Sequence, residues 1–201
     1  MRNREVIVAV TGASGSLYAL RLIERLARQQ VRIHLLLSAA ARVVMQQEIG
    51  LELEESPATT ATQIAASLDV SVEMLRCYAP ADWFAPVASG SSGLRRMVVL
   101  PCSMGTLARI AAGHSENLIE RAADVQIKER GQLILVPRET PLSAIHLENM
   151  LKLARLGVEI VPAMPGFYHR PQTLIELVDF VVDRLLDRLA LADGGEQRWG
   201  E

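Results

Sequence analysis

Residues 8–27 read VAVTGASGSLYALRLIERLA, an apolar run that stops at a turn of small residues and passes at once into a helical pattern. Gly12 and Gly15 allow the backbone to turn tightly and let a ligand approach it closely. Ser14 stands where the helix begins, beside amides that have no partner within the helix. A phosphate or the edge of a flavin fits such a turn. A plain tight turn with a helix-capping serine fits it equally well.

Apolar strands and helical patterns alternate along the rest of the chain. The strands are continuously apolar, which is typical of a parallel sheet covered on both faces. We therefore predict an α/β fold: a doubly wound, Rossmann-like (flavodoxin-like) parallel sheet with helices on both faces. The loosest segment, residues 53–92, is predicted to hold an extra helix and loops. The predicted strands cover residues 5–10, 31–37, 97–101, 132–137 and 158–162, and the predicted helices cover 17–29, 39–48, a stretch after 103, 143–156 and 171–191.

Length and composition limit the possible partners. A chain of 201 residues can bury about 70% of its unfolded surface, and we predict one domain over residues 1–201 with a polar tail from about residue 192. The net charge of -2 provides no basic field, so we expect no nucleic acid. The two cysteines fit neither a disulfide framework nor a zinc site, which favours a reducing compartment. No apolar run approaches the ~20 residues needed to cross a bilayer, so we expect a cytoplasmic protein without a membrane partner.

Small and polar residues follow each predicted strand. Ligands of open α/β sheets bind beyond the carboxyl ends of the strands, so these positions are the candidate site. The first turn lacks the GxGxxG triplet, and the second predicted strand ends at Ser38 rather than at an acid, so NAD is disfavoured. The segments that follow the strands are TGASG at 11–15, Ser38, CSMGT at 102–106, RET at 138–140 and PGFYHR at 165–170.

Four cations are candidates for binding a phosphate. Arg121 and Lys128 are seven residues apart in NLIERAADVQIKER, which puts both on one face of a predicted helix. The same spacing is typical of an ordinary solvated helix. Arg138 follows a predicted strand, whereas Arg184 lies in DRLLDRL, where the neighbouring aspartates offer ordinary ion pairs.

Two carboxylates are acid–base candidates if they reach the crevice, and solvent-facing side chains if they do not. These are Glu48, near the end of a predicted helix, and Glu139, directly after a strand. We assign no histidine a catalytic role. Cys102 is expected to pack at a strand end, and no metal site is expected.

The few aromatic residues offer a third kind of candidate. A tyrosine hydroxyl such as that of Tyr168 can donate to a phosphate, and the indole of Trp83 can shelter an alkyl chain or a cation. Core packing or a subunit contact would explain them as well, and for Trp199 a subunit contact is favoured.

Taken together, these segments resemble the UbiX-type flavin prenyltransferases, a branch of the flavoprotein group that also contains peptidyl-cysteine and phosphopantothenoylcysteine decarboxylases. The resemblance spans nearly the entire chain. It implies a metal-independent transfer of the dimethylallyl group of dimethylallyl phosphate to N5 and C6 of reduced FMN, giving prenylated FMN for a UbiD-type decarboxylase of ubiquinone synthesis or aromatic acids. It also implies a homo-dodecamer. The segments that carry it are TGASG, SAAA, ASGSS, LPCSMGTLA, NLIERAADVQIKER, VPRETPLSAIHLENM, PGFYHRPQ and RWG.

The resemblance also implies roles for individual residues. The cofactor FMN would be held by Gly12, Ala13, Ser14, Ser38, Ser103, Met104, Gly105, Thr106 and Arg138. The substrate would be surrounded by Trp83, Arg121, Lys128, Glu139, Tyr168, Arg184 and Trp199. The catalytic groups would be Ser14, Glu48, Glu139 and Lys128, with the first two handling the proton chemistry at the flavin. Breaking an allylic C–O bond builds charge on both fragments, which agrees with fixed cations and a nearby aromatic face.

Two alternatives stay open at this point. A flavin-dependent cysteine decarboxylase would typically carry PASANT and PxMNxxMW segments and a catalytic histidine near the first turns. This chain reads PCSMGT and PAMPGFYHR at the matching places and has Glu48 in the nearby stretch. A non-catalytic FMN-binding subunit is not excluded by any motif, although it would leave the set of cations unexplained.

Overall fold

The computed structural model describes residues 4–191 and contains one six-stranded sheet. Every strand pairs in parallel with its neighbours, and the spatial order is 3-2-1-4-5-6 in chain numbering. The predicted doubly wound parallel sheet is confirmed. The strands are β1 (Glu5–Val10), β2 (Arg32–Leu37), β3 (Leu75–Cys77), β4 (Arg96–Cys102), β5 (Gln132–Pro137) and β6 (Glu159–Ile160).

Seven α-helices within residues 4–191 cover the two faces of this sheet. Side chains of β1 alternate between the two cores: Val6 and Val8 pack on one face of the sheet, whereas Ile7 and Ala9 pack on the other. No helix in that part of the chain is long and apolar enough to cross a membrane. The helices are α1 (Ser16–Arg28), α2 (Ala39–Ile49), α3 (Pro57–Leu68), α4 (Met104–Ala112), α5 (Leu118–Lys128), α6 (Ala144–Arg155) and α7 (Leu174–Arg188).

The differences from the predicted elements have local causes. The extra helix expected within 53–92 is α3, and the short edge strand β3 in the same segment was not predicted. The last helix begins at Leu174 rather than at residue 171 because the Thr173 side chain caps it by accepting from the Glu176 amide. It ends at Arg188, and Ala190, at φ 53, turns the chain away from helical geometry.

The strand order reverses between β1 and β4. Chain connections leave these two neighbouring strands in opposite directions, so a crevice opens at their carboxyl ends. The turn after β1 and the turn after β4 both line this edge. The fold therefore brings the TGASG and CSMGT segments together.

Candidate active site

A buried threonine joins the two turns at the crevice. The Thr11 hydroxyl donates to the carbonyl of Pro101 at 2.8 Å and accepts from the amide of Ser103 at 2.7 Å. The Thr11 amide also donates to Pro101, at 3.2 Å. These three hydrogen bonds fix the position of the end of β1 relative to the end of β4.

The glycine turn is packed against the start of α2. A Cβ at Gly12 would lie 2.5 Å from the Cβ of Ala40, so only glycine allows this approach. Gly15 has φ 128, in a region that L side chains rarely adopt. Ala13 is buried and Ser14 is exposed, which leaves Ser14 as the side chain that the turn presents outward.

Glu48 reaches from the end of α2 to the start of α1. Its carboxylate accepts from the amide of Gly15 at 3.0 and 3.1 Å and from the amide of Ser16 at 2.8 Å. Burial raises the pKa of Glu48, but hydrogen bonds from Ser14 and from the Ser16 and Gly15 amides outweigh it and hold the pKa below its usual value. The carboxylate is therefore ionised at neutral pH and lies against Ser14, the residue with which the resemblance pairs it.

Two serines cap the helices that point at the crevice. Ser38 accepts from the amide of Ala41 at 3.1 Å, and Ser103 accepts from the amide of Thr106 at 3.3 Å. Helix geometry leaves the first amides of α2 and α4, including those of Met104 and Gly105, without acceptors inside the helix. Two helix N-termini with their partial positive charge therefore face the same edge.

An apolar cavity of about 190 Å³ lies beside these caps. Ser38 and Thr106 line it together with two residues that the sequence analysis did not select, Tyr78 and Arg109. The remaining walls are mostly apolar side chains of β2 and the start of α5. The edge of the sheet thus offers polar donors next to a small apolar space.

Arg109 is held in this cavity by a buried carboxylate. Its Nε donates to Glu120 at 2.5 Å, and its terminal nitrogen donates to the Thr106 hydroxyl at 3.4 Å. Burial raises the pKa of Glu120, but the Glu116 amide, Arg109 and Asn117 outweigh it and keep the pKa below its usual value. Glu120 is thus an ionised anchor for Arg109.

Arg138 and Glu139 follow β5 at the same edge of the sheet. The Arg138 Nε donates to the carbonyl of Ser14 at 3.2 Å, so this arginine reaches the first turn. Glu139 is exposed and accepts from the amide of Thr140 at 3.0 Å.

Cys102 is fully buried and burial raises its pKa to about 12, which agrees with the predicted packing role.

Arg121 and Lys128 share the partly exposed face of α5, as predicted. Their hydrogen bonds do not run to the glycine turn. The Arg121 Nε donates to the Ala88 carbonyl at 3.0 Å, and the Lys128 Nζ donates to Glu129 at 2.7 Å. Trp83 lies in the loop before this carbonyl and is 47% exposed.

Tyr168 and Arg184 are both linked to Phe180, near the edge strand β6. The Tyr168 ring contacts the Phe180 ring edge to face, with centroids 5.6 Å apart. Phe180 and Arg184 line a cavity of about 560 Å³ beyond β6. Neither of the ordinary ion pairs offered to Arg184 by Asp183 and Asp187 is present within residues 4–191, and Asp183 accepts from Arg25 of α1 at 3.0 Å. Trp199, the other predicted substrate contact, lies outside the described residues.

Comparisons with known proteins show the family of this chain. The family model Flavoprotein matches residues 1–186. The flavin prenyltransferase UbiX of Pseudomonas aeruginosa is 48% identical over 98% of this chain and 94% of its own length. The chain belongs to the UbiX-type flavoproteins.

Solved structures of UbiX-type proteins share the fold over their full length. A dodecameric FMN-dependent UbiX-like decarboxylase from Escherichia coli O157:H7 is 41% identical, with a TM-score of 0.85 covering 98% of this chain and 100% of that one. AnUbiX (PadA1), solved with FMN and dimethylallyl pyrophosphate, is 38% identical, with a TM-score of 0.87 covering 100% and 99%.

Two cavity residues of this UbiX-type chain were missed from the sequence. Arg109 had a usable signal: Ser103, Thr106 and Arg109 are spaced three apart, which places them on one helix face. Tyr78 had none, because it follows a three-residue strand that carries no periodic pattern.

Proposed function

We propose that this chain is a flavin prenyltransferase that joins the dimethylallyl group of dimethylallyl phosphate to N5 and C6 of reduced FMN. The observation that carries the proposal is the meeting of Ser14, Glu48, two capped helix N-termini and Arg138 at the crevice between β1 and β4. This arrangement offers donors for a phosphate or a polyol and an ionised carboxylate beside a hydroxyl.

The residues at the crevice fit FMN. The free amides at the starts of α2 and α4 and the nearby Arg109 suit a phosphate or hydroxyl groups, and the adjoining cavity suits an apolar ring. Gly12 lets such a group approach the backbone. The proposed FMN-holding residues are those of the two turns and the two strand ends, namely Gly12, Ala13, Ser14, Ser38, Ser103, Met104, Gly105, Thr106 and Arg138.

Reduced FMN would supply the two nucleophilic ring positions to which the prenyl group is attached. The allylic C–O bond breaks with its electron pair leaving on the phosphate, so fixed cations and donors must stabilise the departing anion. Arg121, Lys128, Arg184 and Tyr168 have that role in our proposal. The indole of Trp83 is exposed and in our proposal would stabilise the positive charge that develops on the prenyl carbons.

The Ser14–Glu48 pair acts as the proton acceptor. Attaching the prenyl group at N5 would release the N5 proton, and closing the ring at C6 would add one proton to the prenyl C=C bond and release one from C6. Glu48 is ionised at neutral pH, so it can accept a released proton through the Ser14 hydroxyl without first losing one of its own. Glu139, exposed beside Arg138, is proposed to contribute on the phosphate side.

We propose assembly into a homo-dodecamer, as in the Escherichia coli relative. The apolar side chains of Val178, Val182 and Leu185 in α7 are buried in the core of this chain and are not available for assembly. Support comes instead from α6, where Ile145 and Leu151 are 68% and 51% exposed. Such apolar exposure is typical of an interface.

We further propose that Arg121 and Lys128 serve the crevice of a neighbouring subunit. Their hydrogen bonds run to Ala88, Asp124 and Glu129 rather than to the turn of their own chain. Co-expression of Lys128→Ala and Ser14→Ala chains should then give mixed oligomers that are more active than either variant alone. Mixed oligomers without such recovery would place both groups in the crevice of one chain.

The product's partner and the cellular location follow from the same proposal. Prenylated FMN would be delivered to a UbiD-type decarboxylase. A cytoplasmic location is supported by the free thiols of Cys77 and Cys102, because thiols persist in reducing compartments.

The test is anaerobic incubation of the full-length protein with reduced FMN and dimethylallyl phosphate, followed by mass spectrometry of the released flavin. We expect a flavin heavier by one five-carbon unit, and no such product from oxidised FMN. Lys128→Ala should lower the yield by about 10²-fold or more. Arg28→Ala is the matched control, because Arg28 is a similarly exposed cation paired with a neighbouring carboxylate on α1.

Unmodified flavin, released from protein that binds FMN, would overturn the proposal. Cysteine-terminated peptides would then test the cysteine decarboxylase alternative. A protein that binds FMN and changes neither flavin nor peptide would be a storage subunit.

A further inference from the structure

A second cavity of about 430 Å³ lies at the opposite edge of the sheet from the flavin crevice. It is lined at the amino ends of β1 and β2 by Glu5, Arg32 and His34, and beyond them by Arg76 and Glu73. None of these residues takes part in the proposed prenyl transfer.

His34, which lines this cavity, has a buried ring nitrogen without a hydrogen-bond partner. His34 is 5% exposed, and its Nδ1 lies 2.7 Å from the Tyr78 hydroxyl. Its Nε2 is buried and has no hydrogen-bond partner, and the carboxylate of Glu5 is 3.9 Å away. When Tyr78 donates to Nδ1, the ring hydrogen sits on Nε2, which then offers a donor that only an added acceptor atom would satisfy.

The charges around this nitrogen favour a singly charged anion. Arg76 stacks over the Tyr78 ring at 5.3 Å and has no ion-pair partner among residues 4–191. Arg32 is paired with Glu5 at 3.0 Å. Among the described wall residues, Arg32 is paired with Glu5 and His34 is neutral because burial lowers its pKa, so Arg76 is the cation that remains for an anion and one negative charge is better accommodated than two.

We propose that this cavity binds a small organic carboxylate with an apolar body. The carboxylate would accept from the His34 Nε2 and from the guanidinium of Arg76, whose planar fork suits it. The apolar body would pack on Val72, Pro86 and Leu94, which form the other walls. The site is distinct from the flavin crevice, since the two lie at opposite ends of β2.

Isothermal titration calorimetry of benzoate into the full-length protein saturated with FMN tests this site. We expect saturable binding that Arg76→Met weakens by about 10–100-fold. Arg76 is exposed, so the variant keeps its fold, and the methionine keeps most of the apolar stem. Arg155→Met, which removes an equally exposed arginine from the end of α6, should bind benzoate like the unaltered protein.

Measurements with FMN present and with added inorganic phosphate distinguish the carboxylate site from the flavin crevice and from a phosphate site. Benzoate binding that persists with FMN and is not displaced by equimolar phosphate supports the carboxylate site. Three outcomes overturn it: no binding, binding that Arg76→Met leaves unchanged, or phosphate bound more tightly than benzoate.

Discussion

Replacing Glu48 by glutamine isolates the contribution of one carboxylate to both folding and chemistry. The two carboxylate oxygens satisfy the amides of Gly15 and Ser16 at the start of α1. A glutamine keeps one acceptor oxygen and turns a donor NH₂ toward the other amide. A hydrogen bond to a charged group contributes about 1.5–3 kcal/mol. Because Glu48 is exposed and water can replace the lost acceptor, we expect Glu48→Gln to cost about 1–2 kcal/mol of stability.

This loss should depend on pH with a defined sign. The folded-state pKa of Glu48 lies below its usual value of 4.5, so the carboxylate stabilises the fold above that pH. Its contribution disappears as the pH falls through the folded-state pKa. The melting temperature of Glu48→Gln should therefore be about 2–8 °C lower near pH 7, and the difference should shrink below pH 4.5.

The same substitution should slow prenyl transfer by more than the stability loss explains. Removing a general base costs about 10²–10⁴-fold in rate. The assay is the initial rate of prenylated flavin formation at a temperature where both proteins are folded. Glu52→Gln, an exposed glutamate that follows the same helix, is the control. A Glu48→Gln protein with normal rate and normal melting temperature would refute the role of Glu48 in both.

Three further predictions concern other parts of the molecule. Thr11→Val should destabilise the protein by about 1–3 kcal/mol in chemical denaturation, because the Ser103 amide loses its acceptor. Glu120→Gln should make stability less sensitive to acid below pH 4.5: the pKa of Glu120 is depressed, so its contribution is lost as the pH falls, whereas glutamine does not titrate. Denaturation at a series of pH values checks this. Leu151→Glu should reduce the mass measured by light scattering, because it places a charge on the exposed apolar face of α6.

Strand patterns predicted most of the fold because burial on both faces leaves a continuous apolar signal. The first and fifth strands occupy residues 5–10 and 132–137, as predicted. This continuous apolar pattern does not predict strands that are short or that are buried on one face only. The edge strand β3 has three residues, and β6 pairs over only Glu159 and Ile160 although the apolar run is longer.

The position of the predicted FMN-holding residues at one edge of the sheet followed from the sequence for a geometric reason. All strands are parallel, so all carboxyl ends meet at one edge, and residues that directly follow strands must lie there. Ser14, Ser38, Ser103 and Arg138 obey this rule. Glu48 does not follow a strand, and its contact with the first turn depends on how α2 packs beside α1.

The predicted phosphate-binding residues Arg121 and Lys128 lie on a helix and do not follow a strand. Helical spacing establishes that Arg121 and Lys128 share a face of α5, but it says nothing about what that face meets. Within the described chain, the face meets the Ala88 carbonyl and Glu129. A cation that is held by a backbone carbonyl or an exposed carboxylate keeps donors for another group, whereas the Arg109 beside Glu120 is anchored by a buried charge. The phosphate-binding half of the proposed site therefore depends on the surface that packs against α5, which links the proposed activity to assembly.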